Sequence, residues 1–176
     1  MAERKESRMF SHIKKIISGG QTGVDRAALD AALKLGISCG GWCPKGRKAE
    51  DGPIETRYPL QETSSAKYSV RTEKNVRDSD ATLVLTRPGQ ASAGTALTIK
   101  LAQRQKKPYL VIDLLGKSDL ETVRNWIEAN HIRVLNVAGP RESEARGIHD
   151  KAFEFLKELF LAPKAGQEQQ TPPQQS

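Results

Sequence analysis

Apolar runs that read as buried strands alternate along this chain with stretches whose apolar residues recur every three or four positions. Residues 13–18 form the first run. A helix over about 24–35 follows, placing Val24, Ala28, Ala31 and Leu35 on one stripe, with Gly36 positioned to end it. Residues 37–42 read as a short second strand running into Gly40-Gly41. Beyond a long irregular stretch, a helix near 67–78 carries Arg71, Asn75 and Arg77. The nearly continuous apolar run 81–86 matches a strand covered on both faces. A small-residue turn over 87–95 opens a helix to about Gln105 that buries Leu97 and Leu101. A strand over 109–114, a helix marked by Leu120, Val123 and Ile127, and a last strand over 132–137 come next. The final helix, about 148–161, shows Phe153, Leu156 and Phe160 on one face. This alternation predicts an α/β fold: one domain built on a doubly wound, mostly parallel sheet with helices on both faces.

The 176 residues suffice for a single sizeable core. The pattern assigns that domain to 13–162, between a polar lead-in (1–12) and a tail (163–176) with almost nothing to bury, expected to be disordered. The irregular stretch 43–66 holds Pro44, Gly46, Gly52, Pro53 and Pro59 among many charges. A loop of that length is either solvated surface or a lid over the first glycine turn.

That turn, Gly19-Gly20-Gln21-Thr22-Gly23-Val24-Asp25-Arg26, carries the candidate chemistry. Glycines leave no Cβ in a ligand's way, and a helix start supplies unpaired N–H groups and the positive end of its dipole. The combination suits an anion, most often a phosphate; the plainer alternative is close packing of helix on sheet. Asp25 either complements the dipole or orients the turn and its ligand. Arg26 either faces solvent or helps hold the anion. Thr22, Ser92 and Thr95 either cap helices or donate to ligand oxygens. Right-handed crossovers bring the turns at 19–23, 88–95 and 138–143 to one crevice beyond the strands' carboxyl ends.

Composition narrows the ligand. Twenty-eight Lys and Arg against 21 Asp and Glu give a net charge of +7, which suits a small anion. Only 5% of residues are aromatic and none interleave with a basic stripe, so a nucleic-acid partner is not expected. Neither a Walker A loop nor the dinucleotide Gly-x-Gly-x-x-Gly follows the first strand, and no nucleophile–base set emerges from spacing. Cys39 and Cys43 with three scattered histidines make no zinc pattern and read as reduced thiols. No apolar run reaches the roughly 18 residues of a membrane span. Together with a charged N-terminus lacking an apolar signal core, this predicts a cytosolic protein. No catalytic or metal-binding residue is assigned; the groups suit a carrier or sensor more than a catalyst.

Several uncommon motifs, in order, resemble the molybdenum-cofactor carrier proteins: the glycine turn through Leu29, Gly40-Gly-Trp-Cys-Pro-Lys-Gly46, Ala49-Glu-Asp-Gly-Pro53, Arg71-Thr-Glu-Lys-Asn-Val76 and Val134-Leu-Asn-Val-Ala-Gly-Pro-Arg-Glu-Ser143. That group is Rossmann-like, within a wider superfamily (SLOG) similar to lysine-decarboxylase-like proteins and phosphoribohydrolases, with its motif order circularly permuted. The resemblance implies a homo-oligomer, dimer or tetramer. It would hold the anionic pyranopterin phosphate as cargo, protect it, and pass it to molybdoenzymes or cofactor-synthesis proteins. It places ligand contacts at Gly20, Thr22 and Gly23 in the first turn, at Ser92, Gly94 and Thr95 in the second, and at Asn75; Gly19, Asp25 and Arg26 of the first turn complete the candidate binding set. Phosphoribohydrolase relatives carry a catalytic Glu where Thr98 aligns here, and a hydroxyl cannot act as a general base at neutral pH. That argues against the first alternative, a nucleotide N-glycosidic hydrolase, in which Asp25 or Glu73 would have to substitute. The second alternative is a nucleotide-sensing module.

Overall fold

The structure, a computed structural model, describes residues 12–89, 92–116 and 120–161. The expected tail and nearly all of the expected lead-in lie outside the described residues. In chain order the elements are β1 (Lys15–Ile17), α1 (Val24–Leu35), β2 (Ser38–Gly40), β3 (Trp42–Cys43), β4 (Lys48–Ala49), β5 (Gly52–Pro53) and β6 (Gln61–Glu62). There follow α2 (Tyr68–Arg77), β7 (Ala81–Thr86), α3 (Ala93–Arg104), β8 (Tyr109–Asp113), α4 (Leu120–Ala129), β9 (Val134–Ala138) and α5 (Ile148–Phe160).

Among the described residues, five parallel strands form the central sheet in the order β2-β1-β9-β7-β8. The chain builds outward from β1 to β2, restarts at β7 and β8, and finally slots β9 between β1 and β7. The strand order therefore reverses at the sheet's centre, and the turns after β1, β7 and β9 meet at its carboxyl edge. This is the α/β, Rossmann-like arrangement that the alternation of patterns predicts.

Close packing of α1 on α5 explains the alanines of α1. Ala27, Ala28, Ala31 and Ala32 are fully buried, against a core that includes Ala152, Leu156, Leu159 and Phe160 of α5. Small side chains there let the helix axes approach. Arg124 of α4 then closes α5, donating to the carbonyls of Glu158, Leu159 and Leu161. Those are among the last carbonyls of a helix, which have no partner inside it.

The strand expected over 37–42 ends early. Gly41 breaks it with φ 129°, and a Cβ there would collide with the Ser18 carbonyl. Trp42 instead starts β3, paired in parallel with β6, while β4 and β5 form a small antiparallel hairpin. The stretch 43–66 is thus an ordered subdomain with its own buried cluster of Cys43, Ala49, Ile54, Tyr58 and Leu60 against Leu29 of α1. Arg47 staples it by donating to the carbonyls of Ile54, Glu55, Tyr58 and Leu60 at 2.7–3.2 Å. Its charges are internal fasteners as well as surface. Cys39 and Cys43 are free thiols, both pushed up from their ordinary pKa by burial.

His149, at the start of α5, joins these parts. Its ring nitrogens lie 2.8 Å from Asp30 of α1 and 2.9 Å from Asp150, and Asp30 also accepts from the Tyr58 hydroxyl at 2.7 Å. The hydrogen bond to Asp30 chiefly raises the His149 pKa above 6.5, outweighing burial. A raised folded-state pKa means the charged imidazole stabilises the fold fully below the unfolded value, and that contribution is lost as pH rises through the folded one. Thermal unfolding of the wild-type chain should therefore fall as pH is raised from about 6 to about 8, and the His149→Gln variant should be flatter over that window. Parallel slopes for the two proteins would show that His149 does not carry the dependence.

Candidate functional site

At the sheet's central carboxyl edge lies a crevice of about 650 Å³, its open mouth included. The first turn contributes Gly19, Gln21 and Asp25. Helix α2 contributes Tyr68, Arg71, Thr72 and Asn75, which fall on one face at i, i+3, i+4 and i+7. The start of α3 contributes Ser92, Gly94 and Thr98, and β9 with its following turn contributes Asn136, Gly139, Arg141 and Glu144. Three turns distant in sequence do converge here.

The start of α1 is organised around Asp25. Its carboxylate is buried, which raises its pKa, and the Arg71 charge, the Gln21 backbone N–H and the Ser18 hydroxyl act in the opposite direction. Arg71, itself only 8% exposed, lies 3.8 Å from Asp25 and donates to the Gly19 carbonyl at 2.8 Å. A Cβ on Gly19 would run into that guanidinium. The backbone amides beside it are also engaged, with Val24 donating to the Pro140 carbonyl at 3.2 Å and Arg26 to the Gln21 carbonyl at 3.1 Å. The helix start that suits an anion thus carries a buried carboxyl of its own first turn.

The residues singled out in the sequence divide between two places. Gly19, Asp25, Asn75, Ser92 and Gly94 line the crevice; Gly20, Thr22, Gly23, Arg26 and Thr95 do not. Gly20 lies beneath Ile54 and Leu60, where a Cβ would clash. Thr22 donates to the Glu50 carboxylate and accepts from the Glu142 amide at 3.1 Å. Gly23, at φ 80°, packs against Pro140 and Arg141. Arg26 pairs with Asp51 and donates to the Gly20 carbonyl at 3.1 Å. Thr22, Gly23 and Arg26 border a shallower depression with Glu142, Ser143 and His149. Asn75 faces the crevice, but its side chain spans Trp42, accepting from the amide at 2.7 Å and donating to the carbonyl at 3.0 Å.

At α3, Ser92 is the N-cap and accepts the Thr95 amide at 3.1 Å, while the two hydroxyls lie 2.8 Å apart. The Thr98 hydroxyl donates back to the Gly94 carbonyl at 2.9 Å. Among the described residues the amides of Ala93 and Gly94 find no acceptor.

Reasoning from the sequence brought the turns holding Gln21 and Arg141 to the crevice without singling those residues out, and it missed Tyr68, Arg71 and Asn136 as crevice residues. The signal was present for α2, whose Tyr68, Arg71 and Asn75 repeat at helical spacing. The ring of Tyr68 gathers three cations: Lys48 at 5.1 Å, Arg71 at 5.2 Å and Arg141 at 5.5 Å from its centroid. The two crevice carboxylates are each matched to an arginine, Asp25 to Arg71 and Glu144 to Arg141 at 3.6 Å. Glu50 ties the β4–β5 hairpin to the turn after β9. Burial alone would raise its pKa, but hydrogen bonds from Ser143 and Thr22 and the Arg141 charge bring it below the ordinary value. Among the described residues no cluster of three or more His, Cys, Asp or Glu is arranged to hold a metal ion, and no helix is long and apolar enough to cross a membrane.

A family model described as the circularly permutated YpsA SLOG family matches residues 16–160. The crystal structure of a protein from Syntrophus aciditrophicus SB, named "putative molybdenum carrier protein", superimposes with a TM-score of 0.81 at 49% sequence identity. The match covers 86% of this chain and 96% of that one. No curated protein matches the chain.

Two substitutions separate packing from ligand contact. Gly23→Ala forces a Cβ into the Pro140 carbonyl at a positive φ and should destabilise the fold by about 2 kcal/mol or more, read by chemical unfolding. Thr22→Val removes the hydroxyl between Glu50 and Glu142 and should cost about 1 kcal/mol of stability. Unchanged stability in both would mean that these positions do not act through packing and the seam.

Proposed function

The chain belongs to the circularly permuted YpsA SLOG family, and from that membership we propose that it is a molybdenum-cofactor carrier. It binds the anionic pyranopterin phosphate as cargo in the crevice at the strand carboxyl ends, shields it from solvent, and transfers it to a molybdoenzyme or a cofactor-synthesis protein. The observation that carries this reading is the pairing of both crevice carboxylates with arginines in a crevice otherwise furnished with donors. Such a wall holds an oxygen-rich anion well and offers no free general base. The name of the Syntrophus aciditrophicus protein, 49% identical over most of both chains, supports the same cargo. The open mouth of the crevice suits release as well as capture. Assembly as a dimer or tetramer of identical chains, acting in the cytosol, completes the proposal.

One observation favours a second reading, an N-glycosidic nucleotide hydrolase. Asp25 is a buried carboxylate of raised pKa facing the crevice, as a catalytic acid or base would be. Glu73 is exposed and does not line the crevice, so it has no part in this reading.

Anaerobic equilibrium binding with molybdenum cofactor and a nucleoside monophosphate, on one preparation, decides between them. The carrier reading expects dissociation constants of about micromolar or below for the cofactor and no saturable nucleotide binding. Preference for the nucleotide, with hydrolysis abolished by Asp25→Asn, would establish the hydrolase instead. Nucleotide binding without turnover would point to a sensing module.

A further inference from the structure

We infer that two copies of this chain join through the edge of β8, antiparallel about a two-fold axis at Val111, so that the two central sheets run on as one. The inference rests on the assembly of identical chains proposed above and names its surface.

Three observations lead there. First, β8 has a free edge. Among the described residues it is the end strand of the sheet, paired with β7 alone. The Thr82 amide donates to the Pro108 carbonyl at 3.0 Å and the Leu114 amide to the Thr86 carbonyl at 2.9 Å, which fixes the alternation along the strand. Leu110, Ile112 and Leu114 turn their backbone groups to β7, whereas Tyr109, Val111 and Asp113 turn theirs outward.

Second, this edge is apolar. The strand reads Tyr-Leu-Val-Ile-Asp, yet none of its residues is fully buried, and it carries no charge or proline before Asp113 at its end. Val111 is 43% exposed and Leu115, just beyond the strand, 55%. Proteins blunt free edges with short strands, charge, proline or a covering loop. The opposite edge of the sheet follows that rule: β2 has three residues, and a Cβ on Gly40 at its end would meet the Pro59 carbonyl of the 43–66 subdomain at 3.3 Å.

Third, the edge is complementary to itself. With Val111 on the axis, every outward amide meets an outward carbonyl of the second copy: Val111 faces the partner's Val111, and Tyr109 faces the partner's Asp113. Opposed side chains share a face, so valine packs on valine and no like charges are brought together. Exposed Arg104 and Lys106, ahead of the strand, approach the end that carries the partner's Asp113. A contact of this kind uses the same patch on both copies and closes on itself. No β8 residue lines the crevice. Antiparallel pairing turns the two crevices to opposite edges of the joined sheet, so each stays open.

The test follows the full chain by sedimentation velocity and by residue-resolved amide hydrogen exchange. At micromolar concentration the wild-type chain should sediment as a dimer or a multiple of it, with the amides of Tyr109, Val111 and Asp113 protected. Val111→Lys sets two ammonium groups against each other on the axis and should weaken association about tenfold or more. Val111→Pro removes an outward amide but no ladder bond to β7, and should act in the same direction. Circular dichroism checks that each variant folds; if the proline variant does not, the lysine variant, at an already exposed position, decides. A monomeric wild-type chain, an oligomer whose three outward amides exchange freely, or wild-type association in a folded variant would each overturn the assignment. So would protection of those amides that persists in a monomer, since the edge would then be covered by its own chain. Cofactor binding is measured alongside, and Val111→Lys should match the wild type. If the cofactor binds but the β8 dimer fails, the interface alone is wrong; if the dimer forms and the cofactor does not bind, the carrier reading fails and the interface stands.

Discussion

The buried ion pair between Asp25 and Arg71 ties the sheet, the first glycine turn and α2 into one unit. Asp25 belongs to the first turn of α1 and Arg71 to the crevice face of α2, and each is almost entirely removed from water. Removing one member of such a pair typically costs about 3–5 kcal/mol, because the other is left charged without compensation. The geometry around the pair follows from it. Gly19 must lack a side chain to let the guanidinium reach its carbonyl, and the Gln21 amide turns inward toward the carboxylate. The helix start that resembles a vacant anion site in sequence has a buried carboxyl of its own within the turn.

The subdomain over 43–66 depends on the same turn from the other side. Ile54 and Leu60 pack on Gly20, Gln21 accepts the Glu50 amide, and Arg26 holds Asp51. Ordering 24 residues with so little regular structure carries a large entropic cost. A four-carbonyl staple by Arg47 and the buried Ile54–Tyr58–Leu60 cluster offset it. A stretch fastened in this way buttresses the first glycine turn from behind; the crevice itself is lined by that turn, α2, the start of α3 and the end of β9 with its following turn.

The fold was legible because its signals are local and repeated. Strands over 81–86 and 109–114, and the alanine stripe of α1, announce themselves within a window of a few residues. The end of β2 was not, since Gly41 is required by contact with Ser18, more than 20 positions earlier in the chain. The site was half legible for the same reason. Gly19, Asp25, Asn75, Ser92 and Gly94 reach the crevice, and a glycine turn before a helix does mark its edge. What fixes the use of each residue is long-range: Arg71 lies 52 positions from Gly19, and Glu50 lies 28 positions from Thr22. Without those partners Thr22 and Arg26 read as ligand-facing, whereas they are spent on the seam that holds the hairpin.

These assignments bear on what kind of protein the crevice makes. A catalyst for glycosidic cleavage needs a carboxylate whose proton can come and go at the reacting atom. Burial raises the pKa of Asp25 and outweighs the Arg71 guanidinium and the Gln21 backbone amide, which act the other way; the guanidinium beside it holds the side chain in place. The same contacts tie the carboxyl to the turn and to α2, so its part in the architecture is accounted for without chemistry at a reacting atom. A carrier has no such need: it gains from donors arranged in advance around an anion, since less order must then be imposed when the ligand arrives. Arg71 serves both ends of this arrangement, neutralising Asp25 on one side and facing the open crevice on the other. One residue thereby makes the stability of the turn and the affinity of the site parts of the same balance.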